Sequence, residues 1–158
     1  MYRSESQTNE RNRCIARLLS SYGRLYGDPV ESTDIYTRQC SLNVTVKDLA
    51  VMGATLGDGG VNPLTRERVV DADCCAGVLA VLATAGMYEQ SGDWLYEVGL
   101  PGKSGVSGGI VTVAPGKDGL ATFAPLLDEA GNSIRGQLAT RFLSRQLGLG
   151  LFASSATE

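Results

Sequence analysis

The residue types and spacing best suited to chemistry lie in "GLPGKSGVSGGI", Gly99 to Ile110, where Lys103 and Ser104 stand side by side in a run of glycines. Glycine marks backbone that turns tightly or approaches something closely. A Lys-Ser pair held there could grip a phosphate, assist a nucleophile, or merely begin a strand. The phosphate reading fails on spacing. A P-loop needs glycine five positions before the Gly-Lys-Ser/Thr, and a helix after it. Here that position is Glu97, and "GVSGGIVTV" follows, a poor helix and a good strand. Two readings stay open. One is a plain strand entry. The other is a strand on the wall of an acyl-transfer site, where a backbone N–H donates to a developing oxyanion and glycines leave room for substrate.

Histidine is absent, which removes Ser-His-Asp and Cys-His chemistry and every histidine general base. Acid–base work would fall to lysine, tyrosine, cysteine or a carboxylate. Only three lysines exist, Lys47, Lys103 and Lys117, so the one in the glycine run stands out. The cysteines Cys14, Cys40, Cys74 and Cys75 show no metal spacing, and no cofactor is expected. Cys74 and Cys75 read as small core-facing residues of an alanine-rich helix. A formal charge of −3 argues against a nucleic-acid partner, and no apolar run reaches membrane-spanning length. The cysteine usage and the polar start point to a reduced, cytoplasmic setting.

The elements that must position these residues fall into two regimes. The first half reads as helices. "ERNRCIARLLSSYG" places Ile15, Leu18, Leu19 and Tyr22 on one stripe, and "DIYTRQCSLN" is a short helix. Thr45 and Asp48 form a capping box ahead of "LAVMGATL", and Asp71 should cap "ADCCAGVLAVLATA". The period then changes. "DWLYEVGLP", "GGIVTVAPG" and "GLATFAP" read as three strands of an antiparallel meander. A last helix, "NSIRGQLATRFLSRQLG", carries Ile134, Leu138, Phe142 and Leu147 on one face. The expected class is α+β, with helices packed against one face of a three-stranded antiparallel sheet.

Five blocks in order, "YRSESQTNERNR", "YTRQCSLNVT", "DLAVMGATLGDGGVNPLTRERV", "GMYEQSGDW" and "VGLPGKSGVSGGI", resemble the bacterial-type serine-dependent glutaminases over about Tyr2 to Leu151. The resemblance implies a β-lactamase/transpeptidase-like fold and hydrolysis of L-glutamine to L-glutamate and ammonia through a serine acyl-enzyme. It places Glu5, Asn12 and Tyr36 at substrate-binding positions. Tyr88 matches a tyrosine that touches substrate and moves a proton near the nucleophile. Val106 matches the residue whose backbone N–H forms half of the oxyanion hole. Lys103 and Ser104 resemble the flanking K-T-G pair. The chemistry suits the types, since Glu5 can oppose an ammonium and Asn12 can donate to a carboxylate. Seven residues apart, both could share one helical face.

None of the thirteen serines is followed by lysine three positions on. The resemblance therefore implies that residues 1–158 correspond to the C-terminal half of the catalytic domain, without the nucleophile, and to a homo-oligomer when full length. Three roles remain open: one part of a glutaminase, a non-catalytic glutamine- or glutamate-binding module, or an interaction protein. The family fold further implies that "GLATFAP" is the outermost strand of the meander, with "GGIVTV" protected beside it.

Overall fold

The computed structural model describes residues 1–154, and they form two compact units, residues 1–44 and residues 45 onward. The first unit holds α1 (Tyr2–Thr8), α2 (Glu10–Ser21) and α3 (Pro29–Cys40). Asp28 caps α3 by accepting from the N–H groups of Val30 and Glu31, and Pro29 opens it without wasting a donor. The break at Asn9 is the first departure from expectation. Its amide donates to Thr37 Oγ1 of α3 and accepts from Asn12 Nδ2, so this buried side chain serves tertiary bonds. Glu5 and Asn12 consequently sit on separate helices, and the argument from a shared helical face does not hold.

The second unit runs through α4 (Val46–Gly57), α5 (Ala72–Ala85), a 3₁₀ turn (Tyr88–Gln90), α6 (Ser91–Val98), β1 (Gly102–Ser104), β2 (Gly109–Ala114), β3 (Asp118–Phe123) and α7 (Ile134–Gln146). The Thr45–Asp48 capping box forms as expected, whereas the Asp71 side chain makes no cap bond. Of the paired cysteines, Cys75 is buried and Cys74 exposed. "DWLYEVG" is the main misreading. It falls largely in α6, whose buried residues Ser91, Trp94 and Val98 are spaced three and then four apart, the period of a helix and not of a strand. The first strand is instead the Gly-Lys-Ser triplet.

The strands run in the order β1-β2-β3, all antiparallel, with Lys103 opposite Val111 and Ile110 opposite Thr122. Among the described residues β3 pairs with β2 alone, so "GLATFAP" is an edge with β2 protected beside it. Helices cover both faces rather than one. α4 lies on the face of Val111 and Gly119, and α7 approaches Thr122, which belongs to the opposite face. The core, Met87, Trp94, Val98, Leu100, Ile110, Ala114 and Leu149, fills the space between sheet, α6 and the end of α7. α7 turns its small residues Gly136, Thr140 and Ser144 inward, and Ile134, Leu138, Phe142 and Leu147 face outward. Small side chains let the helix come close to the sheet, which an apolar stripe of large ones would not.

Gly119 marks the tightest contact with α4, because a Cβ there would lie 2.0 Å from Ala54 N. Gly119→Ala should lower unfolding stability by about 1–3 kcal/mol. Gly77→Ala, in mid-α5 with open space around it, should raise stability by about 0.5–1 kcal/mol. Urea titration of the two variants checks both signs.

Candidate functional site

Four of the predicted residues meet in the second unit. β1 carries Lys103 and Ser104, and its end runs into a turn, Gly105 to Gly108, closed by Gly108 N–H donating to Gly105 C=O at 2.8 Å. Val106 occupies that turn and not a strand, 74% exposed, and its N–H takes part in neither of the bonds that close it. On the other side stands Tyr88, at φ +54, a left-handed backbone that a bulky residue rarely adopts. The turn bearing Tyr88 is tied to β1 where Ser104 N–H donates to Gly86 C=O at 3.2 Å. Lys103 Nζ lies 4.7 Å from the centroid of the Tyr88 ring, within cation–π range. It also donates to the Ser104 carbonyl. Although Lys103 as a whole keeps solvent exposure, its ammonium is tucked between these groups, and burial pushes its pKa down. Ser104 is buried with no partner for its Oγ among the described residues.

A third segment completes this corner. A β-carbon built on Gly131 would lie 3.7 Å from Tyr88 Cε2 and 3.9 Å from Val106 Cγ1, so the loop between β3 and α7 touches both. The carboxylate of Asp128 organises that loop. Burial alone would raise its pKa, but hydrogen bonds from Asn132, Gln137, Gly131 and Ala130 outweigh it and hold the pKa down. In the sequence, "NS" at 132–133 reads only as the start of α7. Ser133 does cap that helix, accepting from Gly136 N–H, while Asn132 points back to the Tyr88 turn.

In the first unit a groove of about 380 Å³ is lined by Asn12, Ile15, Ala16, Leu19, Leu25, Ser32, Thr33 and Tyr36. Asn12 and Tyr36 thus line one groove, and Asn9 orients the Asn12 amide. Glu5, exposed on α1, does not line it. Another cavity, about 490 Å³ beside α6, is lined by Asp93, Glu97, Asp128 and neighbours and contains no predicted site residue. Glu97 is paired there with Arg141 at 2.8 Å, and Asp128 with the loop bonds above. We assign it no chemistry. Among the described residues no group of acidic, cysteine or histidine side chains could hold a metal, and no single helix is long and apolar enough to cross a membrane.

The model of the glutaminase family matches residues 1–152, nearly all of the chain. The chain belongs to the glutaminase family. Glutaminase 2 of Yersinia pestis is 71% identical over 154 residues, covering 98% of this chain and 45% of that protein. The glutaminase of Colwellia psychrerythraea is 55% identical, covering 96% and 49%. This glutaminase-family chain therefore spans about half the length of the curated relatives it matches. The structure of the probable glutaminase YbaS superposes with a TM-score of 0.93 at 53% identity, covering 97% of this chain and 50% of that one. A Bacillus subtilis glutaminase, YbgJ, in covalent complex with 5-oxo-L-norleucine superposes at 0.88 and 34% identity, covering 96% and 54%. The α+β arrangement, seven helices among the described residues with a three-stranded antiparallel sheet, is thus that of glutaminases of β-lactamase-like fold.

Proposed function

We propose that this chain forms the substrate-binding and oxyanion-stabilising part of a glutaminase that hydrolyses L-glutamine to L-glutamate and ammonia. The nucleophile comes from sequence outside residues 1–158, since no S-x-x-K pair lies within them. The observation that carries the reading is the convergence of Tyr88, Lys103 and the Val106 N–H, which has no bond among the described residues, at one corner of the second unit. The covalent complex of YbgJ with 5-oxo-L-norleucine, formed from 6-diazo-5-oxo-L-norleucine, and the structure of Mglu, 45% identical to this chain, in its glutamate form support a ligand of this class.

In the proposed reaction a serine oxygen adds to the side-chain amide carbon. The carbonyl oxygen takes up negative charge, and the Val106 N–H donates to it. The serine's proton is passed to the amide nitrogen, the C–N bond breaks, and ammonia leaves. Tyr88 is the proton carrier, a role open to a phenol beside an ammonium where no histidine exists. Water then cleaves the ester, and L-glutamate departs. For the first unit, taken by itself, the family resemblance proposes Glu5, Asn12 and Tyr36 as substrate-binding residues, of which Asn12 and Tyr36 line one groove.

The test replaces the matching segment of Yersinia pestis Glutaminase 2 with this chain and follows ammonia release from glutamine. The chimera should turn over glutamine and be inactivated by 6-diazo-5-oxo-L-norleucine, and the chain alone should release none. A folded but inactive chimera would refute the reading. Turnover by the chain alone, abolished by Ser104→Ala, would instead make Ser104 the nucleophile.

A further inference from the structure

Tyr88 sits in a backbone conformation that its own sequence does not favour, and left-handed geometry at a bulky residue persists only where its surroundings impose it. The surroundings are specific. Ser91, 4% exposed, accepts from Met87 N–H at 3.1 Å and donates through the same hydroxyl to the Tyr88 carbonyl at 2.7 Å. Asn132, fully buried, donates from Nδ2 to the Met87 carbonyl at 3.2 Å and to Gln90 Oε1 at 3.0 Å. Both polar groups of Met87 and the carbonyl of Tyr88 are therefore held by side chains.

Asn132 is itself anchored. Its backbone N–H donates to Asp128 Oδ1 at 2.9 Å, its carbonyl accepts from Asp128 N–H at 2.8 Å, and Gln137 fixes the other Asp128 oxygen at 2.8 Å. The amide can take only one orientation, because turning it over would set Oδ1 against two acceptors. That leaves Oδ1 as a buried acceptor without a partner among the described residues. A buried acceptor left unsatisfied carries a cost, so the donor side must repay it. One residue earlier Gly131, at φ +96, lies beside the Tyr88 ring and Val106.

We propose that Ser91 and Asn132 are positioning residues that clamp the Met87–Gln90 turn and hold the Tyr88 ring over Lys103 and beside Val106. Neither touches the reacting atoms. They act through Tyr88, so the inference rests on the glutaminase reading for its catalytic consequence, while the clamp itself is a property of this chain.

The test separates the two. In the chain as it stands, labelled at the lysine ε-carbons, NMR follows the titration of Lys103 in Ser91→Ala, Asn132→Ala and, as control, Ser144→Ala. Ser144 is also a buried serine, donating to a helix-end carbonyl, Val98, at 2.7 Å, but it lies outside the Tyr88 turn. Freeing the ring changes the surroundings of the Lys103 ammonium, 4.7 Å from its centroid, so the Lys103 titration should shift in the first two variants and stay put in the control. In the Glutaminase 2 chimera the first two should lose kcat by about 10- to 100-fold, the scale of a misplacement near 1 Å, with KM nearly unchanged. An unmoved Lys103 titration in both variants overturns the clamp, and so does a kcat loss no larger than that of Ser144→Ala. Should Asn132→Ala fail to fold, Ser91→Ala decides. An inactive chimera would count against the glutaminase reading, and the lysine titration would still decide the clamp.

Discussion

Val106→Pro, placed in the Glutaminase 2 chimera, should lower kcat about 100- to 1,000-fold, the loss that follows removal of one oxyanion donor. A backbone N–H cannot be deleted by an ordinary substitution, and proline is the exception. It disrupts most sites, but this one is suited to it. Gly105 to Gly108 form a β-turn closed by the Gly108 N–H and Gly105 C=O, which puts Val106 at the second position, where proline is favoured. The preceding residue is glycine and tolerates the restriction that proline imposes. The Val106 side chain is exposed, so shortening it should matter little. Val106→Ala is thus the control, keeping the N–H and nearly all activity. Steady-state rates, with the fold checked by circular dichroism, decide it. If Val106→Pro folds and retains full kcat, the Val106 N–H is no oxyanion donor.

How much of this could be read from sequence depends on the range of the signal. The Thr45–Asp48 capping box and the extent of α7 are local, set by residues three or four apart, and both formed as read. The aromatic and β-branched types of "DWLYEVGLP" suggest a strand, while the buried set of α6, which covers most of it, repeats every three to four residues. At Asn9 the decision belongs to a partner 28 positions away, Thr37, which no window on α1 and α2 contains. The site follows the same rule. Lys103 and Ser104 stand out in sequence because glycines surround them. The Ser91–Asn132 clamp does not, since Asn132 reaches Met87 across 45 positions and a lone asparagine before a helix reads as a cap. Tyr88, Val106, Asn12 and Tyr36 were legible only through the family blocks. Taken singly, half-exposed tyrosines and an exposed valine carry no chemical signal.

Glu5→Gln should damage substrate binding more than any other change in this chain that alters charge alone. Glutamine brings an α-ammonium out of water, and removing the opposing carboxylate of such a pair costs about 2–5 kcal/mol, at least some 30-fold in kcat/KM. Gln keeps the length and one acceptor oxygen, so the comparison isolates charge. Glu10→Gln is the informative contrast. Glu10 already pairs with Arg13 at 3.3 Å on an exposed face, where such pairs contribute about 0–1 kcal/mol, so its loss should stay under about 5-fold. Glu5 makes no ion pair among the described residues, which leaves its charge available to a ligand. The break at Asn9 sharpens this comparison. Glu5 and Glu10 lie on different helices, α1 and α2, so the two variants ask which helix supplies the ammonium site. Measured as kcat/KM for glutamine in the chimera, a large loss at Glu5 alone assigns it to α1. Equal losses, or a larger one at Glu10, would move the counter-charge to α2 and leave Glu5 a solvated surface residue.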